Sequence, residues 1–126
     1  MIDAIFSDPY YMAAKKMLDV SALRQEAIAS NIANVETPNY KRLDVSKSFE
    51  TELSQAVAGK DMAQLSALQP QLSVDTQAVS GRADGNTVQL ETEMLKMNQN
   101  VVEHSMETLL VSNALSKMNM AITGKD

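Results

Sequence analysis

Hydrophobic side chains recur at intervals of three and four residues along the last third of the chain. This spacing places them on one face of an α-helix, so the pattern predicts a single long helix over residues 87–123. Leu95, Val102, Leu109 and Leu110 flank this face and make it wider than the seam of a two-stranded coiled coil. The predicted face consists of Leu90, Met94, Met97, Val101, His104, Thr108, Val111, Leu115, Met118 and Ile122.

Local signals predict both ends of this helix. Residues 84–87 (Asp-Gly-Asn-Thr) form a turn followed by an N-cap at Thr87, and Glu91 and Glu93 suit the positive end of the helix dipole. No Pro or Gly interrupts residues 86–123, and Gly124 stands where a helix C-terminus favours glycine. We therefore expect the helix to end at Thr123.

A second long helix is predicted near the N-terminus, over about residues 9–35. Asp8 and Pro9 form a favourable cap and first turn. Pro38 disfavours helix at Thr37, and Asn39 tolerates the left-handed conformation that a type II turn requires. The apolar residues of this helix, interleaved with many alanines, are Met12, Met17, Leu18, Val20, Leu23, Ile28 and Ile32.

The middle of the chain, about residues 41–85, has no sustained periodicity. Residues 49–58 predict a short amphipathic helix and residues 62–68 another helical turn. Residues 69–80 are typical of extended chain or loop, and residues 80–85 of a polar linker. The fold class predicted for residues 1–126 is mainly α and a single domain: an elongated antiparallel pair of terminal helices, joined by a largely irregular or extended middle segment.

The length of the C-terminal helix indicates that the chain assembles with others. A helix of roughly 36 residues spans about 54 Å, at 1.5 Å per residue. A compact globule of this chain length is only about 36 Å across. The N-terminal helix, at about 39 Å, is too short to cover the longer one. We therefore expect the wide apolar face to be buried against other chains.

Composition excludes several classes of function. The net charge of −5 argues against a nucleic-acid-binding surface. The chain has no Cys and a single His, and this excludes a disulfide framework, a thiol nucleophile and a Cys/His zinc site. No signal-peptide pattern and no run of ~18 apolar residues is present. We expect a protein without a membrane span or cofactor, either cytoplasmic or exported without a cleaved signal.

The candidate catalytic side chains favour structural roles over chemistry. His104 lies on the apolar face without a suitably placed nucleophile, so we expect packing or a hydrogen bond across a helix interface. Glu91 and Glu93 do not share a helix face, and Glu103 and Glu107 form an i, i+4 pair of like charge. The acidic residues are therefore expected on solvated surfaces, and the chain is not expected to be an enzyme.

Two further polar sites predict local contacts. Residues 84–86 resemble the start of a calcium loop but lack the later acidic ligand, so a turn and helix cap are expected. Lys41 and Arg42 form a small basic site, for which an ion pair to an acidic neighbour is expected.

Residues 29–42 (ASNIANVETPNYKR) carry a specific signature. The N-I-A-N element followed by T-P-x-Y-K resembles the N-terminal motif of the bacterial flagellar rod, hook and hook-associated axial proteins. Residues 24–34 (RQEAIASNIAN) and 84–93 (DGNTVQLETE) resemble the proximal rod proteins of this family. The residues carrying the turn motif are Asn31, Ile32, Ala33, Asn34, Thr37, Pro38, Asn39 and Tyr40. Two positions depart from the family pattern: Asn39 replaces a common Gly, and His104 replaces a frequent Tyr.

The resemblance implies a structural subunit of the proximal rod of the flagellar basal body, which assembles through its terminal helices and transmits torque for motility. It implies export through the flagellar type III apparatus and polymerisation in the periplasm. The implied partners are other copies of the chain, the rod proteins FlgC, FlgF and FlgG, the adapter FliE, the export gate and the membrane ring.

The sequence is compatible with three hypotheses for the function of the chain. In the first, the helix face from Leu90 to Ile122 is an intersubunit surface, and the amides of Asn31 and Asn34 cap or bridge backbone at the helix exit. The second is a cytoplasmic helical-hairpin adaptor or export chaperone of the flagellar secretion system. The third is a small hydrolase acting on peptidoglycan, which would need paired carboxylates or a nucleophile with a base in a cleft.

Overall fold

The computed structural model describes Ala4 and residues 6–124. Within this part the chain is mainly helical, with two long helices, two short helices and a small two-stranded sheet. In chain order the elements are α1 (Pro9–Ala33), β1 (Leu43–Val45), α2 (Lys47–Ala58), α3 (Met62–Ala67), β2 (Leu72–Val74) and α4 (Leu90–Thr123).

Helix α1 begins where the sequence predicts. The Asp8 carboxylate accepts a hydrogen bond of 2.9 Å from the backbone N–H of Tyr10, and Pro9 occupies the first turn, where its missing N–H costs nothing. The helix ends at Ala33, two residues before the predicted boundary. The side-chain amide of Asn34 donates to the carbonyl of Ser30 at 2.8 Å and caps the last turn.

Helix α4 begins at Leu90, so the predicted start and N-cap at Thr87 are wrong. The hydroxyl of Thr87 accepts from the backbone N–H of Arg42 at 2.8 Å, and the Thr87 N–H donates to the Tyr40 carbonyl at 3.1 Å. The N-cap position is Gln89, and the Thr87 hydroxyl instead binds the chain that leaves α1. The C-terminal end at Thr123 is confirmed, with Gly124 in the left-handed conformation at φ 63°.

The middle segment contains more regular structure than the predicted, largely irregular connection. The helix expected over residues 49–58 is confirmed within α2, and the expected turn over residues 62–68 is α3. Strand β1 was not predicted; it pairs antiparallel with β2, with Leu43 opposite Val74 and Val45 opposite Leu72. This segment packs on α1 and supplies most of the apolar core: Val20, Val45, Phe49, Leu53, Ala56, Leu65 and Leu68.

Helices α1 and α4 contact each other through polar side chains. Asn31 contacts Glu93, Gln25 contacts Asn100, and Ser21 contacts His104. At 1.5 Å per residue the 25 residues of α1 span about 37 Å and the 34 residues of α4 about 51 Å. In the described part of the chain, no helix combines the length and apolarity that a bilayer span requires.

Candidate assembly surface and the polar network behind it

Asn31 of the predicted turn motif is completely buried and joins three elements. Its amide N–H donates to the Leu43 carbonyl at 2.9 Å, while its amide oxygen accepts from the Leu43 backbone N–H at 2.9 Å. The same amide nitrogen also lies 3.1 Å from a carboxylate oxygen of Glu93. Asn31 therefore links α1 to the start of β1 and to the first turns of α4, a bridge of the kind expected for this amide.

The chain reverses direction after α1 in a hydrogen-bonded turn. The backbone N–H of Tyr40 donates to the Thr37 carbonyl at 3.3 Å, and Asn39 has φ 59°, as the type II turn at Pro38 requires. Tyr40 folds back on α1, with its hydroxyl 3.0 Å from the Ser30 hydroxyl. Of the remaining motif residues, Ile32 is half-buried and Ala33 is exposed.

Asn86 holds this turn from the other side and was missed as a functional residue. Its side-chain amide donates to three backbone carbonyls, those of Asn34 at 2.9 Å, Val35 at 3.1 Å and Thr37 at 2.8 Å. Its amide oxygen accepts from the Val88 N–H at 2.7 Å. The sequence signal was its position inside the family-like segment 84–93, but no local pattern reveals a partner about 50 residues away.

Arg42 is the centre of a buried ion-pair cluster, which confirms the expected acidic partner. Its guanidinium contacts Glu93 at 2.5 Å, Asp75 at 2.7 Å and Asp44 at 2.9 Å. Burial alone would lower the pKa of Arg42, but the hydrogen bonds and charges of Glu93 and Asp44 outweigh it and raise that pKa. For Asp44, burial opposes ionisation, yet the hydrogen bonds from Arg42 and the Val45 N–H lower its pKa.

The expected solvated position of Glu93 is wrong, because its side chain is fully buried. A buried carboxylate is tolerated only with charged and hydrogen-bonding partners, and here Arg42 and Asn31 supply them. These partners come from α1 and from the chain entering β1. The cluster thus fixes where α4 starts relative to the rest of the fold.

The face of α4 that contacts α1 is polar. Asn100 donates to the Ser21 carbonyl at 2.9 Å and to the Gln25 side chain at 3.1 Å. His104 Nδ1 lies 2.8 Å from the Ser21 hydroxyl, which confirms the hydrogen bond expected for this residue at a helix interface. Next along this face, one turn further, is Glu107.

Glu107 is nearly buried rather than solvated as expected, while Glu103 is exposed and contacts Arg24 at 3.4 Å. Burial raises the pKa of Glu107, and the charge of Glu103 acts in the same direction. The Ser21 hydroxyl, His104 and Arg24 oppose this rise only in part. One carboxylate oxygen, Oε2, has no hydrogen-bond partner among the described residues.

The hydrophobic face predicted for α4 is largely exposed in the single chain. Leu90, Met94, Val101, Leu115 and Ile122 are 39–56% exposed, and the flanking residues Leu95, Val102, Leu109 and Leu110 are 57–60% exposed. Thr108 is also exposed. Met97, Val111 and Met118 are half-buried.

A groove of about 1200 Å³ lies between α1, α2 and the middle of α4. Its walls are mainly apolar and include Tyr11, Met17, Leu53, Val57 and Leu110. Within residues 6–124, no group of three or more His, Asp or Glu side chains is arranged to hold a metal ion. The apolar walls of the groove and the exposed apolar face of α4 are suited to contacts with other protein segments.

Comparison with known proteins agrees with this geometry. Residues 20–41, which span the end of α1 and the turn, match the family described as "Flagella basal body rod protein". The flagellar basal body rod protein FlgB of Borrelia hermsii is 32% identical over 127 residues, covering 86% of this chain and 92% of the relative. FlgB of Salmonella typhimurium is 30% identical, with 87% and 90% covered, and FlgB of Escherichia coli is 28% identical, with 82% and 86% covered.

The signature turn and these matches define a flagellar basal body rod protein, a structural component of the bacterial flagellum that serves motility. Within that class the chain belongs to the FlgB family, because the Borrelia hermsii relative aligns over most of both chains. None of these family and relative names denotes a catalytic activity.

Proposed function

We propose that this chain is a non-enzymatic subunit of the proximal rod and assembles through the outer surfaces of α1 and α4, arranged as an antiparallel pair. The order of contacts supports that arrangement, since Asn31 meets Glu93 while Ser21, ten residues earlier, meets His104, eleven residues later. The observation that carries the proposal is the orientation of α4. It directs Glu93, Asn100 and Glu107 inward and leaves most of its apolar side chains exposed.

Such an orientation favours assembly on energetic grounds. Complete burial of one Val, Leu, Ile or Met side chain contributes about 1.5–3 kcal/mol. Because side chains such as Val101, Leu109 and Ile122 are still 54–60% exposed, each retains about 1 kcal/mol for contact with a neighbouring chain. Several such side chains together offset the cost of fixing one subunit against the next. Contacts of this kind, repeated around a helical assembly, form the continuous shaft needed to transmit torque.

The proposed neighbours are other copies of this chain, the rod proteins FlgC, FlgF and FlgG, the adapter FliE, the export gate and the membrane ring. Their assignment rests on the family, which implies association with other rod components. We also propose that the chain reaches the periplasm through the flagellar export apparatus without a cleaved signal. The absence of Cys suits a protein that works in an oxidising compartment.

The first test is deletion of the gene in the source bacterium, followed by electron microscopy of purified basal bodies. The expected result is membrane rings without a rod, with the rod restored by a plasmid copy. Intact rods and hooks in the deletion strain would contradict the proposal. Retention of the chain in the cytoplasm with a bound partner would instead favour an adaptor or export chaperone.

Substitutions then test the surface itself. Val101→Asp and Leu115→Asp place a charge on the exposed apolar face and should block rod assembly while leaving export of the subunit intact. Asn98→Asp is the matched control, because it introduces the same side chain at an exposed polar position of the same helix. Normal motility in both test variants would contradict assembly through this surface.

A further inference from the structure

The groove between α1, α2 and α4 has a charge pattern that restricts what can bind there. The carboxylates of Asp8, Glu50, Glu103 and Glu107 line it, with Arg24 as the cationic residue among its lining residues. Arg24 contacts Glu50 at 2.6 Å and Glu103 at 3.4 Å, so the lining retains a net negative charge when these groups are ionised. An apolar segment that carries positive charge and no carboxylate matches such a groove.

The C-terminal end of α4, residues 115–123, has that chemistry. Its sequence is LSKMNMAIT, in which Lys117 is the one charged side chain. Leu115, Met120 and Ile122 are 40–56% exposed. The contacts of Asn31 with Glu93 and of Ser21 with His104 set a pairing that, extended to the start of α1, would place Pro9 beside Ser116. From this pairing we infer that residues 117–123 lie beyond the start of α1.

We propose that the end of α4 in one copy of this chain docks in the groove of a second copy. This inference deepens the proposed rod function and rests on it. The docking segment is about 13 Å long, and the groove wall from Glu103 to Ala114 is about 16 Å long, at 1.5 Å per residue. Met120 and Ile122 contact the apolar walls, and the ammonium group of Lys117 faces the acidic rim.

This contact joins two different surfaces of the same chain. A contact of that kind is heterologous, so each added copy leaves one free groove and one free helix end. It therefore builds a ring or an open assembly whose two ends differ, whereas a contact between identical surfaces would close a twofold dimer. The groove thereby gives an open assembly a polarity.

Cysteine cross-linking tests the proposal, because the natural chain has no Cys and each introduced thiol is therefore unique in its chain. Ser54→Cys marks the groove wall, and Asn119→Cys marks the end of α4 without removing an apolar side chain. The two variants carry different epitope tags and are produced together in cells that lack the natural chain. Basal bodies are purified and treated with a short bismaleimide cross-linker. We expect a cross-linked dimer that carries both tags.

Matched controls identify the contact. In the first control, Thr76→Cys is used in place of Ser54→Cys, because Thr76 is exposed and lies outside the groove lining. The yield of the dimer that carries both tags should fall at least tenfold. Adding Lys117→Glu to the Asn119→Cys copy should reduce the dimer by a similar factor, whereas Lys117→Arg should retain it. Incorporation of each copy into basal bodies is measured by immunoblot for its tag.

The outcomes separate this inference from the proposed function. Basal bodies that contain both copies but yield only dimers with a single tag would overturn groove docking and leave the rod function intact. A cross-link from the Ser54→Cys copy to a different protein, with none to the Asn119→Cys copy, would also overturn it. Absence of the unsubstituted chain from purified basal bodies would instead remove the proposed function.

Discussion

Arg42→Met should destabilise the fold far more than an ordinary surface substitution. The replacement keeps an unbranched apolar stem but removes the guanidinium that contacts Glu93, Asp44 and Asp75. The arginine side chain is 4% exposed and that of Glu93 is 0% exposed, so bulk solvent does not reach the Glu93 carboxylate to replace the lost charge. The perturbation therefore leaves a buried carboxylate largely uncompensated.

The three carboxylates are affected unequally. Asp44 keeps Arg24 at 3.3 Å and Lys96 at 3.6 Å. The Asp75 side chain is 18% exposed and can be hydrated. Among the described residues, the partner that the Glu93 carboxylate keeps is the amide of Asn31. Removal of one partner from a buried ion pair costs about 3–5 kcal/mol, and most of that cost arises at Glu93. Domains have a total stability of only about 5–15 kcal/mol, so a large fraction of it should be lost.

Denaturant unfolding of the purified chain, followed by far-UV circular dichroism at pH 7, measures this loss. Lys41→Met is the matched control: Lys41 is exposed and donates to the Gly85 carbonyl, so its loss should cost less than about 1 kcal/mol. The double variant Arg42→Met/Glu93→Leu removes both buried charges and should recover at least about 2 kcal/mol relative to Arg42→Met alone. A loss below about 1 kcal/mol in Arg42→Met, or no recovery in the double variant, would refute the argument.

Three further predictions concern pH and the turn. Because the folded-state pKa of Asp44 is lowered, its stabilising contribution is present above pH 3.8, the ordinary value, and is lost as the pH falls through the lowered pKa. In an acid unfolding series, Asp44→Asn should therefore lose less stability with falling pH than the natural chain. The raised pKa of Glu107 favours its protonated form in the folded state, so Glu107→Gln should raise the free energy of unfolding at pH 7. This gain should shrink as the pH falls toward 4.5, the ordinary pKa of a glutamate. No gain at pH 7 would count against the burial argument. Gly85→Ala should lower the free energy of unfolding by about 1–2 kcal/mol, because Gly85 has φ 75° and the added Cβ would lie 2.7 Å from the Asn39 side-chain oxygen. Asn39→Gly removes that oxygen and should recover part of the loss, which a double-mutant cycle measured by calorimetry would show.

The long helices were predictable because their signals are local. Pro9 and the Asp8 cap mark the start of α1, Pro38 marks the turn that follows it, and Gly124 marks the end of α4. Each of these signals acts through the backbone conformation of one or two residues. Sequence alone therefore identifies the turn of the candidate site and the existence of both helices.

The contacts that position α4 were not predictable, because they join distant parts of the chain. Thr87 resembles an N-cap in sequence, but its hydroxyl is used by the backbone of Arg42. Glu93 resembles a surface residue until Arg42 and Asn31 are placed beside it. Strand β1 has only three residues, too few for an alternating pattern to be recognised. In each case the partner is distant in sequence and the local pattern favours a different structure.

The orientation of α4 shows why hydrophobic periodicity could predict an apolar face but not which side of the helix contacts α1. Glu93, Asn100 and Glu107 recur at seven-residue intervals on the side that contacts α1. Polar residues at such positions fix the register of paired helices at a cost in stability, since each needs one particular partner. An apolar inner face would stabilise the single chain more strongly, but in the proposed assembly it would take the side chains that contact neighbouring subunits. In that assembly the polar inner face of α4 holds the two helices in register, and the exposed outer face supplies the apolar contacts between subunits.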